Sequence, residues 1–131
     1  MKSCALLVLL AVLLATVAGC TGGPGTGKAT LQGQVTIGPL CPVERPDRPC
    51  LPTPETYAAR KVVVLRPDGA TVVTTVPLNR TGYYRVNLDP GTYVVDINHA
   101  GIDRSPDVPR TVMLDRGETV TLDIAIDTGM R

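Results

Sequence analysis

Apolar and polar residues alternate with a period of two along most of the chain after residue 30. In LQGQVTI, Leu31, Val35 and Ile37 fall on one face of an extended chain. The same alternation recurs in YYRVNL, TYVVDIN and VTLDIAID at 120–127, and ARKVVVLR, TVVTTVPL and a segment near 108–115 are further strand candidates. Successive side chains of a β-strand point to opposite faces, so each segment predicts a half-buried strand.

Short turn sequences separate these segments. They include RPDGA, NRTG, DPG and DRGE, in which glycine, proline, aspartate and asparagine favour reversal of the chain. Seven strands at roughly ten-residue spacing, with no convincing helix after the N-terminal segment, predict an all-β fold. The expected architecture is a seven-stranded antiparallel Greek-key sandwich, prealbumin-like or immunoglobulin-like.

The first twenty residues have the pattern of an export signal. Lys2 precedes an apolar or small-residue run from Cys4 to Ala18, which is too short and wrongly flanked to indicate a membrane-spanning helix. The run ends in VAGC at 17–20, which resembles the bacterial lipobox. That resemblance implies that residues 1–19 are a lipoprotein signal peptide and that Cys20 becomes a lipidated N-terminus. The alternatives are an ordinary cleaved signal and an uncleaved anchor helix.

The stretch GGPGTGK at 22–28 has the glycine and lysine spacing of a phosphate-binding loop. Such a loop needs a Ser or Thr directly after Lys28 and a helix to follow, whereas Ala29 and a strand pattern follow here. We therefore expect no nucleotide. Residues 20–29 are interpreted as the lipid anchor and a flexible Gly-rich tether.

The segment 38–56 contains six of the twelve prolines of the chain. Proline lacks the backbone N–H and fixes φ, so this segment predicts neither a helix nor an inner strand. Removal of Cys4 with the signal peptide and lipidation of Cys20 would leave Cys41 and Cys50 as the remaining pair of cysteines. We expect a disulfide between them, because two thiols without a nearby histidine rarely hold zinc.

Charge and aromatic content argue against several classes of partner. The net charge is +1, and loss of Lys2 with the signal leaves zero, so no basic surface for nucleic acid is expected. Phenylalanine and tryptophan are absent and only four tyrosines are present, which weakens the case for a stacking surface. No cofactor is expected.

Once the strands are placed, the string G-x-V, V-x-V, DG and TG-Y-Y-R-V-x-L-x-P-G-T-Y resembles the carboxypeptidase regulatory-like domains. These are relatives of transthyretin and of the B-type repeats of collagen adhesins, and the resemblance covers about residues 30–127, with 128–131 as a tail. It implies a prealbumin-like sandwich without its own catalytic centre. The matching positions are Gly33, Gly69, Gly82, Tyr84, Pro90, Gly91 and Tyr93.

Side chains suited to chemistry are few, and no catalytic residue is expected. His99, Ser105 and two aspartates share the segment 98–107, but a loop supplies no preorganised site for a catalytic triad. His99, Asp103 and Asp107 are a possible ligand or calcium loop, although their spacing matches no known calcium cage. No metal site is otherwise indicated.

These observations predict a non-enzymatic, lipid-anchored module of the bacterial cell envelope, facing outside the cytoplasm. It would contact the membrane through Cys20 and present a β-sandwich to an envelope protein or give structural support. Thr21 stands where an aspartate is associated with inner-membrane retention, which favours the outer membrane in a two-membrane cell and the outer face of the membrane otherwise. The alternative is a small-ligand, carbohydrate or calcium-binding envelope protein using the 98–107 loop.

Overall fold

The structure is a computed structural model that describes residues 27–43 and 45–130. The signal peptide, Cys20 and all of the tether before residue 27 lie outside the described residues, so the predictions about them stay predictions.

Two β-sheets pack face to face, which confirms the predicted all-β sandwich. One sheet holds β1 (Ala29–Gly38) at its centre, with β4 (Tyr83–Leu88) on one side and β7 (Thr119–Thr121) and β8 (Ile124–Asp127) on the other. The second sheet has the strand order β3 (Val72–Pro77), β2 (Lys61–Leu65), β5 (Gly91–Ile97) and β6 (Arg110–Leu114), and every pairing in it is antiparallel.

The core lies between the sheets and is built from the inward positions of the alternating pattern. Tyr84 is the largest of its fully buried side chains. The buried cluster also comprises Ala29, Leu31, Val35, Ile37, Tyr57, Val62, Val64, Val76, Leu78, Leu88, Val95, Ile97, Val108, Val112, Leu114, Leu122, Ile124 and Ile126. Burial of this apolar surface is the main force that holds the two sheets together.

The last predicted strand, 120–127, is divided into β7 and β8, and both pair with β1 in parallel. The division falls at Leu122, whose carbonyl accepts a hydrogen bond of 2.6 Å from the Tyr84 hydroxyl. A Cβ on Gly33 would lie 2.0 Å from that same carbonyl oxygen, so glycine is required for this close approach. The Asp123 carboxylate then accepts the Gln34 N–H at 2.9 Å, in place of a backbone partner.

A short helix, α1 (Pro54–Ala58), follows the proline-rich segment. The expectation that 38–56 holds no helix was wrong for its last residues. Pro54 stands in the first turn of the helix, where a missing N–H costs nothing, and the Thr53 side chain caps the turn by accepting the Thr56 N–H. The helix places Tyr57 in the core.

The connections are distributed unequally between the two ends of the sandwich. At the end where residue 27 enters, here called the tether end, the turns after β2, β4 and β6 are short. Asp68 rigidifies the first of these turns by accepting hydrogen bonds from the Thr71 hydroxyl and from the N–H groups of Thr71 and Ala70, which lower its pKa to about 2. The opposite end, here called the loop end, carries the segments 38–60, 78–82, 98–109 and 127–130.

Candidate functional site

The segment 39–52 of the loop end contains both Cys41 and Cys50 and is here called the cystine loop. The predicted disulfide between Cys41 and Cys50 is present, with 6.1 Å between the two Cα atoms. Val43 and Leu51 are largely exposed, at 70% and 72% of the surface of each residue. The disulfide therefore closes a loop that projects apolar side chains into solvent.

A tight turn forms the tip of the cystine loop. The Arg48 N–H donates to the Arg45 carbonyl at 3.0 Å, and the two arginines face each other in an isolated β-bridge. Pro46 and Asp47 occupy the corners between them. All four residues are exposed, so the tip presents two guanidinium groups on one small hairpin.

The base of the cystine loop is attached firmly to the sandwich. The Thr128 N–H donates to the Gly38 carbonyl at 3.1 Å, and the Thr128 hydroxyl donates to the Pro39 carbonyl. Leu40 packs against the hydrophobic core. The loop thus leaves the fold from a fixed starting point.

A buried ion pair fixes the other side of the loop end. The Arg60 guanidinium donates through Nε to Asp103 Oδ2 at 2.7 Å and through a terminal nitrogen to Asp103 Oδ1 at 3.2 Å. Arg60 also donates to the Thr56 carbonyl at 2.9 Å, which ties α1 to the same pair. Asp103 is only 5% exposed, and the bidentate contact with Arg60 compensates the buried carboxylate.

Of the three residues predicted as a ligand loop, His99 and Asp103 are in contact, and Asp107 bonds elsewhere in the fold. His99 Nε2 lies 2.9 Å from Asp96 Oδ1, and His99 Nδ1 lies 3.2 Å from the Asp103 carbonyl. Asp107 accepts the Ala125 N–H at 2.8 Å, which fastens the segment to β8. The aspartates therefore stabilise the 98–107 segment in its folded position.

Within residues 27–43 and 45–130, no group of three or more His, Cys, Asp or Glu side chains is arranged to hold a metal ion. Among the same described residues, no helix is long and apolar enough to cross a membrane.

Burial raises the pKa of Tyr84 well above its ordinary value, and the nearby Asp123 carboxylate adds to the effect. Both causes disfavour the phenolate. The neutral hydroxyl is the form that donates to the Leu122 carbonyl. Tyr84 is therefore a structural link between β4 and the break between β7 and β8, and not an acid–base group.

Sequence reasoning missed Arg60, and it named Asp103 only as a possible ligand and not as the partner of Arg60. Arg60 follows an alanine pair and Asp103 lies in a loop, and no local pattern joins residues so far apart in sequence. The sequence shows Arg45 and Arg48 as two basic residues of the proline-rich segment, but only the turn places them opposite each other. A signal for the turn was present, since Arg-Pro-Asp-Arg places proline and aspartate at its two corners.

Comparison with known proteins supports the fold alone. No family model matches the sequence, and no curated protein matches it. The structure is similar to that of a minor pilin from Streptococcus agalactiae, with a TM-score of 0.51, 15% identity, and coverage of 77% of this chain and 44% of the pilin chain.

Two DUF3823 family proteins are also similar. The protein from Parabacteroides merdae has a TM-score of 0.45 and 18% identity, covering 75% of this chain and 46% of that one. The protein from Bacteroides ovatus has a TM-score of 0.46 and 15% identity, covering 74% and 44%. The chain thus spans less than half the length of these structures. The fold of this chain is therefore that of a β-sandwich domain.

Proposed function

We propose that this protein is a non-enzymatic, lipid-anchored envelope module that presents the loop end of its sandwich to a protein partner. The proposal rests on one observation, which is that the two ends of the sandwich carry different kinds of connection. The chain enters at one end, where the turns are short, and the cystine loop, α1 and the 98–107 segment gather at the other.

The course of β1 indicates which end of the sandwich would lie near a membrane. The strand runs from Ala29 at the tether end to Gly38 at the loop end, and its ten residues span about 33 Å. Lys28, just before it, forms an ion pair of 3.2 Å with Asp89 in the turn after β4. A tether attached to a membrane at Cys20 would therefore hold the tether end near the lipid and the loop end away from it.

The N-terminal residues supply the anchoring part of the proposal. Two or three acyl chains on Cys20 would hold the protein durably, because each buried methylene contributes about 0.8 kcal/mol and a single chain gives only marginal binding. Residues 20–28 have a reach of at most about 30 Å when fully extended. The similar fold in a minor pilin adds a precedent for such a sandwich, and we extend the envelope location to this chain as part of the proposal.

The rigidity of the loop end supports the presentation part. The cystine loop is closed by a disulfide, restricted by prolines and attached at its base to Thr128. A surface that is ordered before binding loses less conformational entropy on docking. The alternative is a small-ligand, carbohydrate or calcium-binding function of the 98–107 loop with His99, Asp103 and Asp107, of which both carboxylates already accept hydrogen bonds within the fold.

Membrane fractionation with intact-mass measurement tests the proposal. The full-length protein is expected in the membrane fraction with a mass that begins at Cys20 and includes a diacylglyceryl group, and Cys20→Ala is expected to abolish that mass. Cys4→Ala is the matched control, since that cysteine would leave with the signal. An unmodified soluble chain, or lipid addition that survives in Cys20→Ala, would contradict the anchor.

A further inference from the structure

The tip of the cystine loop holds two like charges next to each other. Residues that face each other in an antiparallel bridge project their side chains to the same side, and like charges in such a pair repel. Arg45 and Arg48 are in this relation and both are exposed. The turn that brings them together is maintained by the Arg48 N–H to Arg45 carbonyl hydrogen bond and lies within the disulfide-closed loop.

No carboxylate of the described residues lies within ion-pair distance of either arginine. Among the described residues, ion pairs join Lys28 with Asp89 and Arg60 with Asp103, and His99 Nε2 lies 2.9 Å from Asp96 Oδ1. Asp47 lies between the two arginines at the turn and pairs with neither. The fold thus places Arg45 and Arg48 opposite each other in the bridge, and no hydrogen bond or ion pair with the described residues engages either guanidinium.

We propose that Arg45 and Arg48 bind a carboxylate-bearing, partly apolar peptide segment of a partner protein. A guanidinium presents N–H donors in a planar fork that matches a carboxylate in a bidentate arrangement. Two forks on one hairpin fit two neighbouring Asp or Glu side chains. The ligand's negative charge would also relieve the repulsion between the arginines.

The surroundings of the tip favour a protein over a lipid headgroup. Val43 and Leu51, both largely exposed, lie in the same loop and provide apolar contacts of the kind that protein partners use beside arginine. The loop lies at the end of the sandwich opposite the point where the chain enters, so the proposed orientation directs it away from its own membrane. The choice of a protein over a lipid headgroup rests on the proposed function. The expectation that the ligand is anionic follows from the two arginines alone.

A peptide-display selection on the full-length protein in detergent tests the chemistry while the partner is still unidentified. Peptides retained by the protein and not retained by the double variant Arg45→Gln/Arg48→Gln are expected to contain two acidic residues close in sequence, with apolar neighbours. A synthetic peptide of the enriched sequence is expected to bind the double variant at least about tenfold more weakly, and Arg45→Lys/Arg48→Lys to an intermediate extent. Arg66→Gln/Arg116→Gln, at the tether end, is the matched control and should leave binding unchanged.

Three outcomes would overturn the inference. They are enrichment of peptides without acidic residues, binding of the acidic peptide that is equal in the double variant, and arginine-dependent binding to phosphatidylglycerol vesicles without binding of the peptide. The last outcome would assign the tip to lipid headgroups. Circular dichroism checks that the exposed substitutions leave the fold intact. Because the selection does not involve Cys20, its failure is distinguishable from failure of the lipid anchor.

Discussion

Arg60 and Asp103 show how one buried pair of charges organises several segments. Arg60 lies between α1 and β2, and its guanidinium reaches both the Thr56 carbonyl and the Asp103 carboxylate. The side chains are 15% and 3% exposed, so neither charge is well solvated by water. A buried pair of this kind adds little over an apolar replacement, but removal of one partner leaves the other charge without compensation.

We expect Asp103→Ala to lower the free energy of unfolding by about 3 kcal/mol, because the Arg60 guanidinium would stay largely buried without its carboxylate. Urea unfolding measures the change. The matched control is Asp89→Ala, which breaks the exposed ion pair with Lys28 and should cost less than about 1 kcal/mol. Equal losses of unfolding free energy in the two variants would show that the Arg60–Asp103 pair contributes no more to stability than the exposed pair.

Tyr84 connects the core to the break between β7 and β8 through its hydroxyl. We expect Tyr84→Phe to lower the free energy of unfolding by about 1–2 kcal/mol at neutral pH, because the Leu122 carbonyl would lose its donor. Tyr83→Phe is the matched control, since Tyr83 is half-buried and its hydroxyl makes no hydrogen bond with the described residues; its effect should stay within about 0.5 kcal/mol. A Tyr84→Phe protein as stable as the wild type would contradict this role.

The same residue predicts a dependence on alkaline pH. The pKa of Tyr84 in the folded protein is raised above its unfolded value of 10.0, so the stability that the neutral hydroxyl contributes is fully present below that pH and is lost as the pH rises further. Unfolding should become easier above pH 10 by up to about 1.4 kcal/mol per pH unit. Urea titrations between pH 8 and about 11 should show a shallower decline for Tyr84→Phe than for Tyr83→Phe.

At the scale of the elements, the period-two pattern located the strands because alternation is a local property of an extended backbone. The segments YYRVNL and TYVVDIN became β4 and β5 with the predicted inward faces. The helix α1 was missed because a high proline content was taken to exclude it, although proline suits a first helical turn. The β7–β8 break was missed because its cause, Tyr84, lies on another strand.

The cystine loop is the element whose stability depends most on a covalent bond. We expect Cys41→Ser/Cys50→Ser to lower the free energy of unfolding by about 2–3 kcal/mol while the sandwich is retained, because the disulfide restricts the unfolded chain and the hydrophobic core does not contain either cysteine. Thermal and urea unfolding measure the loss. Hydrogen exchange of β1 and β5 serves as the internal control, since their protection should persist in the folded variant.

Collapse of strand protection in that variant would show that the loop is needed for the whole fold. An unchanged free energy of unfolding would show that the disulfide has no effect on stability.

At the scale of the whole molecule, the proposed lipid anchor, combined with the position of the tether end opposite the loop end, predicts the orientation of the sandwich on a membrane. With the protein reconstituted in vesicles, a fluorophore attached at Arg116, at the tether end, should be quenched by lipid-borne spin labels more strongly than one attached at Arg48, at the loop end. The physical reason is the separation along β1 of about 33 Å. The Cys20→Ala protein is the control and should lose quenching at both positions. Stronger quenching at Arg48 would reverse the proposed orientation.

The sequence by itself determined the class of fold, the positions of β1 to β6, the inward faces of the strands and the pairing of Cys41 with Cys50, because alternation, turn residues and cysteine inventory are local or compositional properties. Only the tertiary structure decided the parallel pairing of β7 and β8 with β1, the Arg60–Asp103 pair and the gathering of the long loops at one end. These features join residues distant in sequence. Their energies arise only when two sheets pack and exclude water between them.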